Sequence, residues 1–418
     1  MKKQIFFLCA LFLTVGITLT MNSCSEDDAP TALTLSTLVA GDIDLNGSTA
    51  PNNVAVEPTI VATFSTNVDA TTATAANITL KRDYDDSAIA TTITVSGATI
   101  TIVPTETLAS GALHELKFAS GLKSTEGEIL TTAVVRTFST DGFFAPSGMV
   151  AHWTFEDNAN DQVGSYVPSA EIEVAYTAGR KTSAGKAAEF NGTTSIIEYA
   201  NGDLLINTQD FSLSFWVKAT EAGHGHFIIG LGAFFGFQFE MNGNFKEFKM
   251  PVQFDLGDGT SATGGDLVYN GDGKTKDNGG YVGTTFSKEN ATIDALLKDQ
   301  WAHFIYVYNN TTRERSFYLN GELVKSQDHD LFANDLGVPE LVATSVGLKY
   351  AGIEPDVKNE LAFGFVQSRA GTMWANEPWG GYTLPGANHF KGQLDDVRIF
   401  HKAITQAEIL LMYNSEKP

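Results

Sequence analysis

Phe211-Ser212-Leu213-Ser214-Phe215-Trp216-Val217 places a large apolar side chain at every second position. Successive side chains of a strand point to opposite faces, so a period of two predicts a strand with one apolar face, whereas a helix would repeat every 3.6 residues. The same rhythm returns in Val150-Ala151-His152-Trp153-Thr154-Phe155 and over residues 301–307, 315–319 and 393–400. Asn320-Gly321 follows one of these runs and is the signature of a two-residue hairpin turn, because both central positions need positive φ. Gly-, Asn-, Asp- and Ser-rich turns separate the runs, and no useful helical periodicity appears before the last dozen residues. The chain therefore reads as all-β, with one short helix at its end. There Thr405-Gln406-Ala407-Glu408 forms a capping box, with Ile404 and Ile409 at the positions of a hydrophobic staple.

A chain of 418 residues is too long for a single core, and the best seam lies at 141–147, where Gly142 and Pro146 interrupt two different rhythms. In the first unit, 31–141, Ile60, Ala62 and Phe64 alternate with Val61, Thr63 and Ser65. Ile93 and Val95 answer Ile100 and Ile102 across Ser96-Gly97-Ala98, a marked hairpin. Phe64-Ser65-Thr66-Asn67-Val68-Asp69, Gly121-Leu122-Lys123-Ser124-Thr125-Glu126-Gly127 and Thr137-Phe138-Ser139-Thr140 resemble the bacterial Ig-like domain, which implies a β-sandwich spacer. Nothing in this unit looks chemical, and its only histidine is His114.

The second unit, 146–418, carries Trp153-Thr154-Phe155-Glu156-Asp157, Phe190-Asn191-Gly192, Phe215-Trp216-Val217, Trp301-Ala302-His303, Phe317-Tyr318-Leu319-Asn320-Gly321 and Gly392-Gln393-Leu394-Asp395-Asp396-Val397-Arg398-Ile399-Phe400. Together these resemble the laminin-G-like, concanavalin A-like family and imply a jelly-roll sandwich. Residues 235–289 and 328–388, rich in Gly and polar side chains, read as two loop insertions, and long loops on a rigid sandwich are where binding is usually built.

The N-terminal residues Met1-Lys2-Lys3-Gln4 are cationic, and 5–19 are apolar except for Thr14, Gly16 and Thr18. This is the pattern of a secretory signal peptide, 1–23, and it is short of the roughly 20 apolar residues of a membrane span. Thr20-Met21-Asn22-Ser23-Cys24 resembles a bacterial lipobox, which implies lipidation at Cys24 and a lipid tether to the outer membrane. The only other cysteine, Cys9, falls inside the leader, so the mature chain has no internal disulfide. Ser25-Glu26-Asp27-Asp28, within the linker 24–30, resembles the acidic tag of surface-exposed lipoproteins; a solvated linker is the other reading. The formal charge of −22 becomes −24 once Lys2 and Lys3 are removed. So acidic a surface repels nucleic acid and suits an exposed protein or one that collects divalent cations.

The sharpest constellation is Trp374-Ala375-Asn376-Glu377-Pro378-Trp379-Gly380-Gly381-Tyr382. Three aromatics broken by Pro and two Gly cannot form one face of a strand or helix. Flat rings on a stiff loop suit stacking against sugar faces, with Asn376, Glu377 and Arg369 reading hydroxyls; alternatively the rings pack the loop onto the sandwich. For the second set, Asp157, Asn158, Asn160 and Asp161 with Asp395 and Asp396, the resemblance implies a structural Ca²⁺ held by Asp157, Asp161 and Asp395. Strand alternation sends Asp395 and Asp396 to opposite faces; an Asx-turn and a solvated acid are the alternative. Asp255, Asp258, Asp266, Asp272 and Asp277 lack EF-hand spacing and read as a solvated loop. His224-Gly225-His226 lacks a third metal ligand.

For catalysis, no Glu-x-Asp-x-x-Glu strand, Gly-x-Ser-x-Gly elbow, His-Glu-x-x-His helix or phosphate loop occurs; Glu240 and Glu247 remain as acids in an unfamiliar arrangement. The whole is similar to surface glycan-binding proteins of polysaccharide-utilisation systems. That resemblance implies a non-catalytic lipoprotein that binds glycan and serves an uptake complex. The alternatives are a glycoside hydrolase or polysaccharide lyase using the inserted loops, and a protein-binding adhesin.

Overall fold

The computed structural model describes residues 31–47, 49–274, 283–285, 289–329 and 345–418. The signal peptide, Cys24 and the acidic linker lie outside the described residues. So does Asp277.

The first sandwich packs a five-stranded sheet, in the order Ile43–Asp44, Leu35–Ala40, Ile60–Phe64, Thr99–Pro104 and Thr91–Ser96, on a four-stranded one, Ala88–Ile89, Ile78–Arg82, Leu113–Phe118 and Val134–Ser139. Its core is the alternating set read from sequence: Ile60, Ala62 and Phe64 meet Ile78, Leu80, Leu116, Phe118 and Phe138. Val95 pairs with Ile100 and Ser96 with Thr99, so the hairpin turns on Gly97 and Ala98, and Gly97 takes φ +59°.

The second sandwich has larger sheets. The back sheet runs Ala175–Ala178, Lys186–Asn191, Lys391–Phe400, Phe211–Ala219, Ala302–Asn309, Glu314–Leu319, Glu322–Asp328 and Thr284–Thr285, with Met149–Trp153 added on Lys391–Phe400. First and last strands of the unit are thus neighbours. The front sheet runs Ala170–Ile172, Ile196–Tyr199, Leu361–Phe363, His226–Leu231, Phe237–Met241, Phe248–Leu256 and Ser261–Tyr269, with Ser345–Leu348 on Phe248–Leu256. Between the sheets Phe239 lies 4.9 Å from Phe215 and 4.8 Å from Phe304, centroid to centroid, and Phe248 lies 4.7 Å from Phe304 and 5.1 Å from Phe317. Such tilted and edge-on pairs add about 0.5–1.5 kcal/mol each beyond the area they bury. Asn320 and Gly321 have φ of 52° and 81°, as their hairpin turn requires.

Two expectations change here. Residues 235–289, read as an inserted loop, carry three strands of the front sheet; Phe237, Phe239 and Met241, then Phe248, Met250, Val252 and Phe254, are core side chains at alternate positions. The strand Phe211–Ala219 is buried on both faces instead of one, because the terminal helix Gln406–Glu416 covers its second face. The Ser212 hydroxyl donates to the Lys402 carbonyl (2.6 Å), and the Trp216 indole donates to Glu416 (2.9 Å). The helix begins with the capping box read from sequence, Thr405 with Glu408.

The two sandwiches share a seam. Ala109 and Ala112 from the first unit and Phe144 from the stretch between the units join Ile305, Val307, Phe400, Ile404, Ile409 and Met412 in one apolar cluster. Tyr84 crosses it to Glu408 (3.4 Å).

Candidate functional site

The front sheet turns one face to the core and the other outward. Because side chains alternate, Phe237, Phe239 and Met241 point in while Gln238 and Glu240 point out, and on the next strand Lys249 and Pro251 oppose Phe248, Met250 and Val252. Asp266 joins them from the following strand. The segment after Phe363 folds back over part of this outer face, where Phe365, Val366, Trp374 and Ala387 pack on Ile196, Phe227 and Ala362. Beside it a groove of about 380 Å³ remains open. Its floor is Gln238, Glu240, Lys249 and Asp266; its apolar wall is Phe227, Phe234, Trp374 and Trp379, with Asn388 at the rim.

The floor is a connected set of charges. Lys249 Nζ stands 3.6 Å from Glu240 Oε2 and 3.2 Å from Asp266 Oδ2, and Gln238 Nε2 donates to Glu240 Oε2 at 2.8 Å. Burial pushes the Glu240 carboxyl above its ordinary range, outweighing the pull of Lys249. Burial also opposes the Lys249 charge, but Glu240 and Asp266 together raise the ammonium above its usual value.

The aromatic loop is a series of tight turns. Ala375 N donates to Thr372 O (3.1 Å), Glu377 N to Trp374 O (3.0 Å), Gly380 N to Glu377 O (3.0 Å) and Asn388 N to Trp379 O (2.9 Å). A Cβ at position 380 would sit 2.8 Å from Trp374 Cβ, so glycine is what lets the loop close on that ring.

The three rings differ in exposure. Trp374 is 8% exposed and packs edge-on against Phe234 at 6.1 Å. Trp379 is 38% exposed, braced by Phe227 at 5.9 Å and Trp374 at 6.1 Å, and lines the groove. Tyr382 is half-buried, donates its hydroxyl to the Thr194 carbonyl, and borders a different cavity.

The expected hydroxyl readers lie elsewhere. Asn376 and Glu377 are exposed, and the groove lining takes Asn388 in their stead. Arg369 is engaged by Glu198, with Nη2–Oε2 at 2.8 Å and Nε–Oε1 at 3.1 Å, and so ties the loop to the strand Ile196–Tyr199. Sequence reasoning missed Gln238, Lys249 and the role of Asp266, since they fall in the stretch read as a loop. The signal was the alternation of Phe237, Phe239 and Met241 with Gln238 and Glu240.

The expected calcium ligands are not brought together. Asp157 pairs with Lys186, and Asp161 Oδ1 accepts from the backbone N–H of His152 (2.8 Å) and Val163 (3.0 Å). Asp395 Oδ2 meets Arg180 at 2.5 Å. Asp395 and Asp396 do not point to opposite faces as simple alternation requires. The pairing register slips between Ser214 and Trp216, Asp396 takes φ +47°, and this bulge turns both carboxylates onto Arg180. Among the described residues no three His, Cys, Asp or Glu side chains are grouped to hold a metal.

Residues 44–140 match the family described as bacterial Ig-like domain, and 191–337 match the concanavalin A-like lectin/glucanases superfamily. The protein is therefore a bacterial Ig-like domain followed by a concanavalin A-like domain, and that second fold is one that serves as a carbohydrate- or protein-binding module. Among solved structures it is similar to the receptor-binding domain of botulinum neurotoxin type G, at 13% identity and a TM-score of 0.38 over 64% of this chain and 51% of that one. It is also similar to the binding domain of Paraclostridial Mosquitocidal Protein 1, at 14% identity and a TM-score of 0.40 over 64% of this chain and 52% of that one. The chain spans about half the length of these structures. No curated protein matches it.

Proposed function

We propose that this protein is a cell-surface lipoprotein that binds carbohydrate in the front-sheet groove, with the Ig-like sandwich as its spacer from the membrane. The observation that carries this reading is a 38% exposed Trp379 lining the same groove as Gln238, Glu240, Lys249 and Asp266. A sugar ring has an apolar face for the indole and hydroxyls at its edge for Glu240, Asp266 and Gln238, the combination of apolar wall and few placed polar groups typical of a ligand cleft. The cationic, apolar leader ending at Cys24 supports the tether, and two or more acyl chains would make it stable. Capture of polysaccharide for an uptake complex in the same membrane is the role that fits these parts.

Affinity electrophoresis across a polysaccharide panel tests the binding. Retardation of the wild type that Trp379→Ala weakens supports it, whereas no retardation on any glycan, with capture on a protein matrix, would favour an adhesin. Cys24→Ser should move the protein from the membrane to the soluble fraction.

Hydrolysis is a second reading with one observation in its favour: Glu240, raised by burial, and Asp266 flank the same ammonium in the groove. Carboxyl groups whose environments differ can divide acid and base roles. New reducing ends that vanish in Glu240→Gln would establish it.

A further inference from the structure

On the other side of the Trp379–His389 segment lies a second recess, of about 640 Å³. Trp379 and Asn388 border the groove, while Ala387 and His389, the chain neighbours of Asn388, border this cavity, so one stretch of backbone lines both. Their electrostatics differ. The groove floor carries two carboxylates and one ammonium; the cavity is lined by no Asp or Glu at all, in a chain of formal charge −22.

What the cavity does present is Lys391, His224 and the hydroxyl of Thr383 beside an apolar surface of Tyr382, Leu384 and Pro385. Lys391 Nζ donates to the Glu221 backbone carbonyl at 3.1 Å and has no carboxylate within ion-pair distance among the described residues. The neighbouring acids are engaged elsewhere: the Glu221 carboxylate is held by Lys298, and Glu173 accepts from Asn191 Nδ2 (3.0 Å) and from the Thr194 hydroxyl. His224 Nδ1 is turned to the Gly225 carbonyl at 2.7 Å, which leaves Nε2 as the ring's other polar atom. An ammonium that the Glu221 carboxylate acts on without forming an ion pair, beside a half-apolar hollow, has the chemistry of a charge-assisted contact to an anion carried on a sugar ring.

We propose that this cavity is a subsite for an anionic substituent, carboxylate or sulfate, on a unit of the same glycan whose neutral face lies on Trp379. The inference rests on the carbohydrate-binding reading and extends it from a sugar face to a substituted polymer. The stretch Ala387–His389, which lines both recesses, is what would place neighbouring units of one glycan in the two.

Matched oligosaccharide pairs test it with the detergent-solubilised full chain: a xylo-oligosaccharide with and without a glucuronate branch, and a galacto-oligosaccharide with and without sulfate. Calorimetric titration should show the anionic member of at least one pair binding about tenfold more tightly, the order expected for one hydrogen bond to a charged group. Which pair responds identifies the anion. The advantage should shrink in ~0.5 M salt, where charges are screened over a few ångströms. It should vanish in Lys391→Gln and return in Lys391→Arg, with the neutral member's affinity and the melting temperature unchanged. Neutral binding that depends on Trp379, without anionic preference or with a preference that survives Lys391→Gln, overturns the subsite and leaves the groove standing. Binding of neither member of either pair overturns the subsite.

Discussion

Replacing Trp379 with alanine separates a ligand-facing ring from a packing one. A Trp side chain offers at most ~250 Å² to its surroundings, and 38% exposure leaves about 95 Å² of it for a ligand. At ~25 cal/mol per Å² complete cover of that surface would be worth about 2.4 kcal/mol, roughly 50-fold in affinity. A sugar face covers only part of it, so the expected loss is about tenfold. Trp374 provides the contrast. At 8% exposure it offers a ligand only about 20 Å², but truncating a buried Trp costs ~3–5 kcal/mol through the cavity left behind. In a domain this size that lowers the melting temperature by roughly 10 °C. Affinity electrophoresis and calorimetry on a retarding glycan, with thermal melts of both variants, read the two quantities separately. Unchanged affinity in Trp379→Ala, with a fall in melting temperature as large as that of Trp374→Ala, would refute the reasoning and make both rings packing groups.

The remaining expectations concern stability. Burial, aided by His224 and Lys391, lowers His226 to about 4, and its Nε2 has no partner among the described residues. The unfolded imidazole takes up its proton near pH 6.5 and the folded one only near pH 4, so this contribution is complete above about 6.5 and is lost as pH falls toward 4, by about 3 kcal/mol. Melts should therefore drop across that window, and less steeply in His226→Asn; equal slopes in both proteins would contradict it. Because Lys186 and Arg180 already neutralise Asp157 and Asp395, chelation with EDTA should leave the melt unchanged. A fall restored by Ca²⁺ would show instead that these acids regroup around an ion. Phe144→Ala removes a buried ring from the seam between the sandwiches, where it stands edge-on to Tyr84 at 5.3 Å. Calorimetry should then resolve two transitions at lower temperature, and an unaltered single transition would mean that the seam does not couple the units.

Much of the architecture is written locally. The strand at Phe211–Ala219, the Asn320-Gly321 turn and the Thr405–Glu408 capping box each depend on residues a few positions apart; the strand forms where its alternation predicts, though buried on both faces, and the turn and cap take the form their sequence predicts, down to positive φ at Asn320 and Gly321. The two sandwiches follow, because period-two strands must bury one face against a second sheet. The site was less legible. Trp379 stands out in sequence, but nothing local distinguishes it from Trp374; the difference arises only because Phe234 and Phe235 come from a strand connection more than a hundred residues earlier to cover one ring and not the other. Arg369 reads as a free hydrogen-bond donor until strand pairing places Glu198 beneath it. Likewise Asp395 and Asp396 read as facing apart until a one-residue bulge, invisible in composition, turns both toward Arg180. The sequence by itself determined the all-β class, the strands outside 235–289 that were read from alternation, and the final helix, since these depend on backbone periods of two and 3.6. Tertiary structure alone decided the groove, its charges and which ring remains open, because which strands lie side by side, and what covers a face, is set by contacts between residues far apart in the chain.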